Sequence, residues 1–184
     1  MARDRPVSLA PISRAPVSLA LIAPDMAPNV GAILRLGACL DLPVHVVEPC
    51  GFPFSPQAWA RQAMDYARMV TLRHHSGWHA FAELAGDAAR SGAPGRLIAL
   101  SARATISLYE VAFQPGDCLM LGAESAGLPA EAFAAAALSV AIPMCPPARS
   151  LNIAQAAAMA AGEALRQLDA WPAPQGLGVT PPQR

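Results

Sequence analysis

The chain has 184 residues, 54% of them hydrophobic and 14% charged, which suits one globular domain and excludes a disordered polymer. No apolar run approaches the ~18 residues that a membrane helix needs, and two prolines with Ser13-Arg14 interrupt the N-terminal stretch where a signal peptide would be apolar. Thirteen acidic residues balance thirteen basic ones, all arginine, and without a lysine P-loop, Schiff-base and pyridoxal phosphate chemistry are excluded. The expected location is the cytoplasm.

Residues 1–16 read as an N-terminal extension, 17–168 as the single domain and 169–184 as a Pro-rich disordered tail. Val17 to Ala23 is predicted as a strand stopped by Pro24. A helix follows from Pro28 to Leu40, with Ile33, Leu36 and Leu40 on one face. Val44 to Val47 is a strand ended by Glu48-Pro49. Helices are expected over Pro56 to Arg68 and Trp78 to Arg90. Leu97–Leu100, Cys118–Leu121 and Val140–Ile142 read as short buried strands, and a long Ala-rich helix runs from Asn152 to Leu168. Strands alternating with helices imply an α/β fold with a parallel sheet covered by helices on both faces. In such folds a ligand sits beyond the carboxyl ends of the strands, so the informative segments follow Ala23, Leu100, Leu121 and Ile142.

Three of those segments carry candidate chemistry. Pro28 to Ala38 reads PNVGAILRLGA, where Gly31 lets backbone approach a ligand at a helix N-terminus and Arg35 lies one turn later on the same face. A capped helix with one solvated arginine would look the same. Gly122 to Pro129 reads GAESAGLP, a tight loop whose proline can open the next helix. Its Ala123-Glu-Ser-Ala-Gly127 nearly matches a hydrolase nucleophile elbow, but no histidine follows Ser125 in the chain, so that reading fails. Ile142 to Ala156 reads IPMCPPARSLNIAQA, a proline-stiffened loop with Ser150 and Asn152 as cap-type side chains; a well-capped helix alone explains it equally well.

His74, His75 and His79 lack the acidic residue and spacing of a zinc helix, so no metal is expected. Cys39, Cys50, Cys118 and Cys145 are far apart and read as small apolar residues.

Taken in order and spacing, Asn29-x-Gly31-x-x-x-Arg35, Gly122-x-Glu124-x-x-Gly127-Leu-Pro129 and Ile142-Pro143-Met144 leading to Arg149-Ser150-Leu151-Asn152 resemble the three motifs of SPOUT-superfamily RNA 2′-O-ribose methyltransferases. His45-Val-Val-Glu-Pro49, Gly51-Phe52, Asp65-Tyr66, Arg73-His74-His75 and Glu163 to Leu168 resemble the bacterial members that act on the tRNA wobble nucleotide. The resemblance implies a C-terminal trefoil knot, an exception to unknotted topology, and S-adenosylmethionine as methyl donor. It places cofactor contacts on Leu100, Gly122, Ile142, Ser150 and Leu151. Arg35 is implied as the catalytic residue, with Ser150 and Asn152 behind it. A guanidinium is a poor base, so Arg35 is expected to hold the ribose or its phosphate and to stabilise the developing alkoxide, the base being left unassigned. Asn29 and Arg149 are expected to contact substrate.

The implied partners are a tRNA anticodon loop, of a leucine isoacceptor, and a second copy of the chain. The homodimer is expected to form through the Arg35 helix and the Ala-rich helix, with Ala157, Ala160 and Ala161 at the contact. A core starting at Val17 leaves no room for an added RNA-binding domain, which favours a tRNA target over a ribosomal one. Ala123, Ala154 and Gly162 depart from the pattern, where proline, serine and tyrosine are usual, and bear on the RNA target more than on the chemistry. Two alternatives stay open. One is a SPOUT enzyme for another tRNA or rRNA position; the other is a non-catalytic RNA- or nucleotide-binding module of the same fold.

Overall fold

In the computed structural model, residues 15–86 and 93–173 are described. Seven strands form one sheet: β1 (Val17–Ile22), β2 (Val44–Val47), β3 (Leu72–His75), β4 (Leu97–Leu100), β5 (Ile106–Ser107), β6 (Asp117–Leu121) and β7 (Leu138–Ala141). The order is β3-β2-β1-β6-β4-β7-β5, and every pair is parallel. The helices are α1 (Ala27–Leu40), α2 (Pro56–Ala63), α3 (Trp78–Gly86), α4 (Ala130–Ala134) and α5 (Ile153–Gln167).

Successive strand residues point to opposite faces, so both faces of the central strands must be apolar. Leu19 and Leu21 of β1 join Val44, Val46, Leu119 and Leu121 in a core under α1, α2 and α5. Ala20 and Ile22 join Val47, Cys118 and Met120 on the other face, against Phe81 of α3 and Ala132 of α4. Alanines let α5 sit close to the sheet. Ala157, Ala160, Ala161 and Ala164 are all 0% exposed within this one chain. That corrects the expectation that the first three make a dimer contact: they are spent on the chain's own core, and the outward side of α5 presents Met159 instead.

Two strands escaped the sequence pattern. Leu72-Arg-His-His75 carries three polar residues because β3 is a sheet edge, paired on one side only. Its neighbour His45 is nonetheless fully buried, packed on His75 and Phe81. β5 has only two residues, too short for any periodicity. The helix expected over Pro56 to Arg68 stops at Ala63; Met64 turns to φ 50°, and Met64–Arg68 follow as a tighter 3₁₀ segment. α3 is described to Gly86, so the rest of the helix expected to Arg90 lies outside the described residues, as do most of the two terminal segments. No described helix is long and apolar enough to cross a membrane.

The chain leaves β1 to β2 and β3 on one side, crosses to β4 on the other, and later inserts β6 beside β1 before leaving it in the opposite direction to β7. The strand order therefore reverses between β1 and β6, and a crevice opens beyond their carboxyl ends.

Candidate active site

The segments after β1, β6 and β7 meet at that crevice. Asn29 stands in the first turn of α1, and Asn152 is the N-cap of α5, its Oδ1 accepting the Ala154 N–H at 2.9 Å. The Asn152 amide donates to Asn29 Oδ1 at 3.1 Å and to Glu124 Oε1 at 3.2 Å. Asn29 donates in turn to Glu124 Oε2. Both oxygens of one carboxylate are thus held by amides from two different helix starts, which leaves Glu124 oriented and charge-solvated. The amide orientations follow from this network, since Glu124 offers only acceptors.

The loop bearing Glu124 is closed on itself: Ala123 and Gly127 exchange backbone hydrogen bonds at 3.1 and 2.7 Å. Gly122 makes this possible. A Cβ there would lie 2.1 Å from the Gly127 carbonyl carbon, far inside contact distance. From below, Asp25 at the end of β1 accepts the N–H groups of Glu124 and Ser125 at 3.2 and 3.1 Å. The Ser125 hydroxyl, and after it these amides, hold the Asp25 carboxyl below the usual range despite an opposing push from burial.

Beside the loop lies a pocket of about 830 Å³, a volume suited to a small organic ligand. Leu100, Gly122, Ile142, Ser150 and Leu151 all line it, together with Glu124 and Val140. Its wall joins apolar side chains to backbone at strand ends, where unpaired N–H and C=O groups can take a heterocycle's polar edge.

Arg35 lies apart from that wall. Six residues past Asn29, it is about 9 Å further along the helix, exposed, with its guanidinium 5.0 Å from the Tyr66 ring centroid and 3.6 Å from Met64 Sδ. Gly31 also serves a different contact from the one expected. It is the point where α2 crosses α1, and a Cβ there would meet Trp59 O at 2.7 Å. Arg149 is exposed on the loop before α5 and does not line the pocket.

The histidines pack rather than gather. His45 Nδ1 and His75 Nε2 are 3.0 Å apart in a buried stack, and His74 lies on Phe54 and pairs with Glu48 at 3.2 Å. Among the described residues no three metal-type side chains cluster. Asp25 was not singled out by sequence reasoning, and Glu124 was quoted in its motif without a role. An acidic residue directly after a strand's carboxyl end, as in Pro24-Asp25, was the available signal.

A parallel sheet with a small-molecule pocket at its switch point, braced by residues from three separate segments, defines a ligand-binding α/β protein. The SpoU rRNA Methylase family model matches residues 16–162, and the chain belongs to that family. It is 44% identical over 152 residues to a protein of Beijerinckia indica subsp. indica named tRNA (cytidine(34)-2′-O)-methyltransferase, covering 83% of this chain and 92% of that one. A protein of Escherichia coli K12 with the same name is 35% identical over 154 residues, covering 83% and 94%. A solved structure described as giving structural insights into the 2-OH methylation of C/U34 on tRNA superimposes with a TM-score of 0.76 at 40% identity, covering 83% of this chain and 96% of that one.

Proposed function

We propose that this chain methylates the ribose 2′-hydroxyl of the wobble pyrimidine, nucleotide 34, in the anticodon loop of a tRNA, with S-adenosylmethionine as donor. The observation that carries the reading is the convergence of Asn29, Glu124 and Asn152, one from each motif segment, in one hydrogen-bonded cluster whose Glu124 lines the pocket. The relatives' names supply the substrate.

The residues present fit the donor. Leu100, Val140, Ile142 and Leu151 form an apolar slot for a purine, and Gly122 leaves its backbone open to hydrogen bonding. When bound, S-adenosylmethionine supplies an electrophilic methyl group on a sulfonium. The chain's own task is to bring a 2′-oxygen into line, to take up its proton and to exclude water, and none of this asks for a metal. Ser150, which lines the pocket, and Asn152, which holds Glu124, are assigned to orient the reacting groups. Arg35 is assigned the charge-stabilising role on the ribose or its phosphate. Because it lies away from this chain's own pocket, we assign it to a site completed across a homodimer built on α1 and the outward side of α5. The same reading includes a knotted C-terminal threading and a cytoplasmic enzyme.

The test is methyl transfer to an isolated anticodon stem-loop, or to the fully modified tRNA, with the product nucleotide mapped by mass spectrometry. Methylation of a base, or of a ribose elsewhere, overturns the substrate. Arg35→Ala should keep affinity for S-adenosylhomocysteine while transfer falls ~10²-fold or more; a variant that turns over normally removes Arg35 from the site. Light scattering at the monomer mass of 19.1 kDa at micromolar concentration would refute the dimer.

A further inference from the structure

The loop at residues 123–127 is pinned by a residue outside all three motifs. We propose that Asp25 is a positioning residue: its carboxylate clamps this loop in the closed form that walls the pocket and aims Glu124 at Asn29 and Asn152. This rests on the reading above that the pocket takes S-adenosylmethionine.

The loop's internal bonds use only its two ends, the N–H and C=O of Ala123 and Gly127. At its tip, the consecutive N–H groups of Glu124 and Ser125 turn outward, and each meets a different oxygen of Asp25 at 3.2 and 3.1 Å. Two amides on two carboxylate oxygens fix an orientation as well as a distance, which one bond would not.

The anchor itself is stiff. Asp25 follows the buried Pro24 at the end of the central strand β1, and the Gly51 N–H holds the Pro24 carbonyl at 2.9 Å. Clamp and chemistry share one residue: Glu124 gives its backbone N–H to Asp25 and its side chain to Asn29 and Asn152. Release of the backbone therefore frees the carboxylate and loosens the wall from Gly122 to Leu128. The side chain of Asp25 is bonded to the loop backbone, so its influence passes through the loop.

The experiment is amide hydrogen exchange on the ligand-free protein, read together with S-adenosylhomocysteine affinity by calorimetry, for wild type, Asp25→Asn and Asp25→Glu. In Asp25→Asn the Glu124 and Ser125 amides should exchange at least ten times faster while the β1 amides keep their protection, and the dissociation constant should rise about tenfold. Asp25→Glu, which retains two acceptor oxygens, should recover most of both. Unchanged loop exchange in Asp25→Asn overturns the clamp whatever the ligand does. Faster exchange with unchanged affinity overturns its positioning role. Failure of wild type to bind S-adenosylhomocysteine strikes the proposed function instead, and the exchange result then decides the clamp alone.

Discussion

Gly122→Ala tests whether the closed loop is what builds the pocket. The new Cβ would lie 2.1 Å from the Gly127 carbonyl carbon and 2.2 Å from both the Gly127 oxygen and the Leu128 nitrogen. All three are backbone atoms, so no side-chain rotation relieves the overlap, and the loop must shift by roughly 1 Å or more to reach ordinary carbon contact. The cheapest escape breaks the two Ala123–Gly127 hydrogen bonds, at about 1 kcal/mol each net of solvent. The ligand-free protein should lose about 2 kcal/mol, lowering the thermal midpoint by roughly 4–8 °C. Binding must then reclose a strained loop, which weakens S-adenosylhomocysteine by about 30-fold for every 2 kcal/mol of closing cost. Gly127→Ala is the control. Its Cβ meets open space, and only the positive φ of 74° is strained, at about 1 kcal/mol. Calorimetry should rank Gly122→Ala well above Gly127→Ala in lost affinity. Equal losses, or wild-type affinity in Gly122→Ala, would refute the argument.

Three further outcomes concern stability. Burial first, then neighbouring charge, pushes His45 down to about 3 and His75 to about 4 from an ordinary 6.5. The unfolded chain therefore binds more protons, so the stability they contribute is complete above pH 6.5 and drains away as pH falls toward 4. The thermal midpoint should already drop between about pH 6.5 and 5, above the carboxylate range, and a flat profile there contradicts the buried neutral pair. Gln167→Ala strips partners from the Phe113 N–H at 3.0 Å and the Val111 carbonyl at 2.9 Å. Denaturant titration should show a loss of about 2 kcal/mol or more, and a loss under ~0.5 kcal/mol would mean water replaces the side chain. Gly162→Ala should stabilise by about 1 kcal/mol through helix propensity, since its Cβ meets Trp171 at 3.6 and 3.9 Å, ordinary contact; a lower midpoint would show that the indole cannot accommodate it.

The interior strands were legible because burial on both faces leaves a continuous apolar run, as in β1 and β6, whose residues are all buried. β3 was not, since an edge strand tolerates Arg73 and His74, one toward each face, and so loses that signature. The pocket wall was legible for a related reason. Gly122, Ile142 and Leu151 sit directly beyond strand ends or at a helix start, and sequence order alone puts such positions at a crevice. Glycine and alanine, however, report only that something comes close. Gly31 is pressed by Trp59 and Gln62 of α2, not by a ligand, and Ala157, Ala160, Ala161 and Ala164 of α5 are buried in the chain's own core. Carboxylates carry even less local information. Asp25 takes its role from amides 99 and 100 positions away, and Glu124 takes its role from amides 95 and 28 positions away. No pattern within one helix or turn encodes such a partner, whereas strand order does, because a reversal at β1 and β6 obliges the ends of those two strands to be neighbours. An acidic residue after β1 and a glycine-closed loop after β6 are then candidates for each other before any side chain is placed, and the Asp25 clamp is that pairing realised.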